Sequence, residues 1–340
     1  MTAGENAFDS QYKVFAGKFR RYNGESWLKR VLDVKTNLLN LRDFFYLIFG
    51  LIESWFLLRK LKPDVILLKG GFVGVPIGLA ARKRIPLVTH DSDALPGLAN
   101  RLVSRWAVYH ATGMPAEFYQ YPKDKVKYIG VIVSDRYTFV TPDLKAEYRH
   151  DLGLPLDAQV LMITGGSLGS QEVNKAVVAF APQLLAAMPN LRIIHQVGAR
   201  NTEVYGDFTN SRLAVYGLLE YDKLHKYSGA ADTVITRAGA SMIAEFGIQG
   251  KACIVVPNPF LTGGHQTKNA EFLRSKQAAV IVDESQLSAN AEALKQAVVN
   301  LLNDSAARDQ LGTHLHEITV ADAADNLAKL LLSVGGRAGE

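Results

Sequence analysis

The sequence predicts an α/β protein built from two parallel-sheet domains, and three observations predict it. Short runs rich in Val, Ile and Leu alternate with helix-length segments from Lys60 onward. Glycine-bearing turns follow three of those runs, and a stretch near residues 134–160 interrupts the pattern before it restarts. At 340 residues the chain is long for one core and comfortable for two ordinary domains.

The runs are Val65–Leu68, Leu87–Thr89, Val160–Thr164, Ile193–Gln196, Leu213–Tyr216, Thr233–Thr236, Cys253–Pro257 and Ala279–Val282. They lack strict alternation, as expected of parallel strands buried on both faces. Upstream, Leu41, Phe45, Ile48, Ile52 and Trp55 recur at helical spacing, with Asp43, Gly50 and Glu53 off the stripe. That is an amphipathic helix whose apolar face is expected to pack in the core, with direct membrane contact as the alternative. Ser134 to Pro142 reads as a linker, and a charged helix over Leu144–Leu152 ends at Gly153 before Pro155. Val160–Thr164 then opens a second unit, so the expected division is 1–137, 138–320 and a C-terminal helix over 321–340.

Composition narrows the class. Hydrophobic residues make up 48% and charged ones 21%, a globular balance. The one cysteine, Cys253, excludes an internal disulfide and sits in an apolar strand run, where a buried thiol is expected. Met1–Asn6 shows no charged-then-apolar leader pattern. Phe44–Leu58 approaches a membrane span but carries Glu53 and falls short of the roughly 20 apolar residues required. Residues 1–62 hold 11 Lys/Arg against 6 Asp/Glu, which accounts for the whole net charge of +5. Basic residues beside apolar ones suit an anionic membrane surface better than a nucleic acid, with a solvated basic face as the alternative.

The chemistry-bearing motifs are the glycine turns. Gly70-Gly71-Phe72-Val73-Gly74, Gly165-Gly166-Ser167-Leu168-Gly169-Ser170 and Arg237-Ala238-Gly239-Ala240-Ser241 each follow a strand run. Glycines there let the backbone approach a ligand, and the helix that follows directs free N–H groups at an anion. None fits the dinucleotide fingerprint or the G-K-[ST] phosphate loop, so NAD and ATP hydrolysis of that type are disfavoured. Glu245, six residues after Gly239, is placed to accept from two ribose hydroxyls, or else is an exposed helix glutamate. In His265-Gln266-Thr267-Lys268-Asn269 no partner has ligand spacing, so a sugar-binding loop is expected there and no metal site.

These residues together resemble the MurG family of glycosyltransferases. Gly70-Gly71-Phe72-Val73 with Pro76, His90-Asp91 and Leu95–Asn100 are similar to its acceptor domain. Gly165-Gly166-Ser167 with Gly169 and Asn174, Arg237–Ala240, Glu245, Pro257, and His265-Gln266 with Asn269 are similar to its donor domain. The resemblance runs from about residue 60 to the C-terminus. It implies a glycosyltransferase-B fold, two Rossmann-like domains facing across a cleft with the last helix crossing back to the first. It also implies inverting transfer of N-acetylglucosamine, without cofactor or metal, from UDP-GlcNAc to undecaprenyl-diphospho-muramoyl-pentapeptide. That reaction places the protein peripherally on the cytoplasmic face of an anionic membrane, with cell-wall synthesis proteins as further partners and no nucleic acid.

Carried over position by position, the resemblance implies that Gly166 and Ser167 hold the donor diphosphate. Arg237, Gly239, Ala240 and Ser241 approach the nucleotide, Glu245 takes the ribose, and Gln266 and Asn269 orient the sugar beside His265. On the acceptor side it implies Gly70, Gly71, His90, Asp91 and Asn100. The family's Gly-Gly-Thr-Gly-Gly-His loop, which carries a candidate base, is not found before Lys35, so Asp91 and His90 are the expected bases and turnover is expected to be low. The acceptor motif reads His90-Asp91-Ser92-Asp93 where the family usually has His-Glu-Gln-Asn. Ser134 stands for a common arginine, and Ser241-Met242 for a usual Leu-Thr. Alternatives are a related transferase with another acceptor, an epimerase of the same fold, and a non-catalytic nucleotide-sugar-binding subunit.

Overall fold

The computed structural model describes residues 8–18, 33–260, 262–289 and 291–336. The leader reading of Met1–Asn6 and the basic residues Arg20, Arg21, Lys29 and Arg30 lie outside them. Contacts divide the chain into two units: Met1–Asp91, Pro96–Tyr128 and Asp325–Glu340 form the first, Ser92–Leu95 and Ile129–Ala324 the second. The division therefore falls at 128/129 where the sequence suggests 137/138, and the C-terminal return begins at Asp325, not 321. Residues 129–137 join the second unit because Val131 and Val133 pack on Ala240 and Ala244. A β-carbon on Gly130 would also stand 2.5 Å from the Val320 side chain.

In the first unit, α1 (Val34–Leu61) starts at Asp33, whose carboxylate accepts from the Thr36 N–H at 3.0 Å, and stops at a left-handed Lys62. There follow β1 (Ile66–Leu68), α2 (Gly74–Ala81), β2 (Leu87–Asp91), α3 (Leu98–Val103), β3 (Tyr109–Thr112) and β4 (Val126–Tyr128). The strands form one parallel sheet in the order β1-β2-β3-β4. Its core is Ile66, Leu68, Ala81, Leu87 and Val103, with Leu58 of α1 against it. The apolar-run signal misses β3 and β4 because Tyr-His-Ala-Thr and Val-Lys-Tyr hold few branched aliphatics.

Helix α1 inverts the expected core face. Leu41, Phe45, Ile48 and Ile52 are exposed, at 39–55% of their full accessible area, while Asp43, Gly50 and Ser54 are buried. Close backbone approach decides this. A β-carbon on Gly50 would stand 1.8 Å from the Phe15 carbonyl oxygen and 3.3 Å from Pro76. The segment 8–18 and α2 therefore sit on the small-residue face, and the large apolar side chains are left outside.

The second unit begins with α4 (Pro142–Asp151), capped by Thr141. It continues through β5 (Gln159–Thr164), α5 (Gln171–Ala187), β6 (Leu191–Gln196), β7 (Leu213–Tyr216), α6 (Tyr221–Ala230) and β8 (Thr233–Thr236). Then come α7 (Ala240–Ile248), β9 (Ala252–Val255), α8 (His265–Ser275), β10 (Val280–Ile281), α9 (Glu284–Ala289), α10 (Glu292–Asn303) and α11 (Ser305–Glu317). All strands are parallel, in the order β10-β9-β8-β5-β6-β7. Alternate residues of the same strands feed two separate cores, Leu161, Ile163, Ile235 and Ile254 on one face and Val160, Met162, Val234 and Cys253 on the other. That two-sided burial is why the strands read as unbroken apolar runs. Burial pushes the Cys253 thiol up to about 12, so it is unreactive. Finally α12 (Ala323–Val334) returns to the first unit, where Gly335 lies beside Asp64 and Val65.

Candidate functional site

The order of the second sheet reverses between β5 and β8, and ligands of open α/β sheets bind at such a switch point. Thr164 pairs with Thr236 and with Gln196, and Thr236 pairs with Val255, so the turns leaving β5, β6, β8 and β9 share one edge. In the first turn Gly166 and Gly169 have φ of 84° and 73°. A β-carbon on Gly169 would stand 2.0 Å from the Val197 oxygen, and one on Gly198 2.4 Å from the Leu168 oxygen. The turns after β5 and β6 interlock, and only glycine permits it. Gln196 Nε2 donates to Thr164 Oγ1 and the Gly166 carbonyl, both at 3.1 Å. Behind them Asn174 donates to the Val197 carbonyl at 2.8 Å and meets buried His195, which burial lowers to about 3 and keeps neutral. Ser167 is left exposed at the tip.

The turn after β8 starts α7. Gly239 offers no side-chain cap, so the first N–H groups of α7 stay open to a ligand. Gly239, Ala240, Ser241 and Met242 line a 430 Å³ pocket with Ser92, Asp93, His265 and Gln266. Met242 joins the two turns, its Sδ lying 3.9 Å from where a Gly166 β-carbon would be. Gln266 also accepts from the Asn258 N–H at 2.9 Å, which ties the loop after β9 to α8.

Two donor-side residues differ from expectation. Arg237 is buried, paired with Glu284 at 2.5 Å and donating to the Val256 carbonyl at 3.2 Å. Its guanidinium is committed to holding α9 and β9, so it serves the turn structurally and does not line the pocket. Asn269 is fully buried: its Nδ2 donates to the Ala238 carbonyl at 2.9 Å and to Asp93 Oδ1 at 3.1 Å, and its Oδ1 accepts from the Ala94 N–H at 3.1 Å. It fastens Ser92–Leu95 to the second unit and has little left for a sugar. The sequence singles out Asp93 only as a departure from a motif, yet the fold brings it into the pocket. Glu245, half-buried on α7, has its carboxyl raised to about 7 by desolvation, against a lowering by the Tyr137 hydroxyl beside it. That hydroxyl closes no well-formed hydrogen bond, so the pair is adjacent but loose.

In the first unit, Gly70 and Gly71 have φ of 83° and 80° in the turn after β1. A β-carbon on Gly70 would lie 4.0 Å from Asn100 Nδ2. Asn100 is buried on α3 and donates to the His90 carbonyl and to Asp91 Oδ1, both at 2.9 Å, while its Oδ1 has no hydrogen-bond partner among the described residues. Asp91 is the third departure. Its Oδ1 also accepts from the Gly97 N–H, and its Oδ2 accepts from the Tyr121 hydroxyl, each at 2.9 Å. Three donors occupy this buried carboxylate, which therefore fixes the loop into α3 and is poorly placed to take a proton. His90 is buried at 1% exposure on the same strand. Tyr121 stacks at 3.7 Å on His110, which burial lowers to about 4, so that network is neutral at its imidazole.

Comparisons with known proteins show the family and the fold. The glycosyltransferase family 28 N-terminal domain matches residues 18–111 and the C-terminal domain of the same family matches 160–327. The UDP-N-acetylglucosamine–N-acetylmuramyl-(pentapeptide) pyrophosphoryl-undecaprenol N-acetylglucosamine transferase of Halothermothrix orenii is 34% identical over 266 residues, 75% of this chain and 70% of that protein. The crystal structure of Acinetobacter baumannii MurG superposes with a TM-score of 0.65 at 26% identity, covering 85% of this chain and 79% of that one. A putative UDP-N-acetylglucosamine 2-epimerase from Listeria monocytogenes, at 14% identity and TM-score 0.61 over 84% of this chain and 80% of its own, shares the fold. The chain belongs to glycosyltransferase family 28, among the MurG-type N-acetylglucosamine transferases of the two-domain glycosyltransferase-B fold.

Proposed function

We propose that this chain transfers N-acetylglucosamine from UDP-GlcNAc to undecaprenyl-diphospho-muramoyl-pentapeptide, the lipid-linked precursor of peptidoglycan. The observation that carries the donor side is the meeting of the Gly166 and Gly239 turns at the switch point, beside the open N-terminus of α7. Those backbone N–H groups suit the diphosphate, and Ser167 adds an exposed hydroxyl. Glu245 takes the ribose hydroxyls, and His265 with Gln266 borders the sugar. The reading includes no metal cofactor: turnover that survives exhaustive chelation supports this, and a strict requirement for added divalent cation removes it.

The same reading puts the protein at an anionic membrane surface, where its acceptor is anchored. Among the described residues no helix is long and apolar enough to cross a membrane. The exposed face of α1 and a 530 Å³ apolar groove lined by Ile52, Trp55, Phe56, Arg82 and Arg84 would instead rest on the interface. Incubating the chain with UDP-GlcNAc and the lipid-linked muramoyl-pentapeptide tests the function directly. Transfer of labelled sugar to the lipid is expected. Release of free UDP with no lipid product, or conversion of the donor to its C2 epimer, would reject the transferase reading.

A further inference from the structure

We propose that Asp93 is the general base of the transfer. The proposal rests on reading the 430 Å³ pocket as the donor-sugar site. Asp93 supplies the one carboxylate lining that pocket, which it shares with residues of the first turn of α7. The neighbouring Asp91 has three donors on its two oxygens and belongs to the loop it holds.

Asp93 is also held in place. Asn269 donates to its Oδ1 at 3.1 Å, accepts from the next N–H in the chain at 3.1 Å, and donates to the Ala238 carbonyl at 2.9 Å. One buried amide thus sets the carboxylate against the turn that receives the donor. A base needs this kind of fixed geometry, because a misplacement of about 1 Å costs on the order of 10²-fold. Asn269 is a positioning residue and Asp93 the catalytic one.

His265 lines the same pocket and opens α8, but as a base it would gain a positive charge beside the one that develops at the anomeric carbon. A carboxylate becomes neutral on taking a proton and, until then, attracts the positive charge that develops at the anomeric carbon. In the step, the acceptor hydroxyl oxygen forms a bond to the anomeric carbon while its proton passes to the Asp93 carboxylate. The bond from the anomeric carbon to the diphosphate oxygen breaks, and its electron pair leaves on UDP. The new bond forms on the face opposite the leaving group, so the configuration inverts.

The test is Asp93→Asn in the full chain, since an asparagine oxygen can still accept from Asn269. With UDP-GlcNAc and the lipid-linked acceptor, kcat is expected to fall ~10²–10⁴-fold. Donor affinity by calorimetry and the thermal midpoint should be unchanged. Asp93→Ser, read in parallel, should lose the same kcat and guards against an asparagine variant that folds poorly. Wild-type kcat in either folded variant overturns the proposal, as does a rise in KM for the donor at constant kcat, which marks a sugar-binding residue only. A wild-type chain that binds donor yet transfers nothing also overturns it. If the wild-type chain binds neither UDP nor UDP-GlcNAc, the donor-site reading itself has failed.

Discussion

Asn269 Oδ1 accepts the Ala94 N–H at 3.1 Å across 175 residues of sequence. The same amide reaches the Ala238 carbonyl, so one buried side chain joins the loop after β2 to the turn before α7. Asn269→Ala leaves the Ala94 N–H and the Ala238 carbonyl without this partner, and each buried group left unmade costs about 1–3 kcal/mol. Chemical denaturation should show a loss within or above that range, together with a fall in kcat larger than any change in UDP affinity. A variant as stable as wild type would mean that water or a neighbour replaces the amide.

Glu245→Ala should weaken UDP binding by roughly 1.5–3 kcal/mol, the scale of a hydrogen bond to a charged group. The pH dependence has a definite sign. Its carboxyl sits at about 7 in the folded chain because burial disfavours the anion, and ribose hydroxyls donating to it favour the anion. UDP affinity should therefore rise with pH through about 7 and then level. Folding runs the other way. Between the ordinary glutamate range and about 7 the folded state holds the extra proton, so stability falls as pH rises through that window. Glu245→Gln should flatten both curves; calorimetry and urea titrations across the window provide the comparison.

Glu284→Ala strands the Arg237 guanidinium in a site where both side chains are about nine-tenths buried. Breaking one side of a buried pair costs about 3–5 kcal/mol. The loss should appear in unfolding of the second unit, since α9 and the β9 edge are what the pair joins. If Arg237 instead met the donor phosphates, the same variant would change UDP affinity and leave stability nearly intact.

Phe45→Glu and Ile52→Glu replace exposed side chains of α1, so stability should stay within about 0.5 kcal/mol of wild type. Co-sedimentation with vesicles containing anionic lipid should drop, and wild-type binding should weaken with salt. Gly50→Val is the contrasting variant. Its β-carbon collides with the Phe15 carbonyl, so it should destabilise the first unit. Equal unfolding midpoints for Gly50→Val and wild type would show that the packed face of α1 has been misidentified.

The eight apolar runs all became strands; in the central ones burial on both sheet faces leaves an unbroken Val/Ile/Leu signal that needs no partner to be seen. The glycine turns were legible for a similar reason: a backbone that must take positive φ or meet another backbone closely constrains the residue locally. Helix α1 shows the limit of that reading. Its spacing marked two faces, but the buried one was chosen by room at Gly50, a property of Phe15 and Pro76 and not of the helix. The roles of Arg237, Asn269, Asp91 and Asp93 were likewise decided by partners. A polar side chain can serve a ligand or the chain itself, and only Glu284, Ala94 and Tyr121, brought near by folding, commit the first three to structure while Asp93 faces the pocket. Sequence alone determined the strands of the second sheet, two of the four in the first, the turns and the chemistry available at their edge. Tertiary structure decided which groups remain to meet a ligand, because hydrogen-bond capacity is finite and its use depends on neighbours distant in the chain.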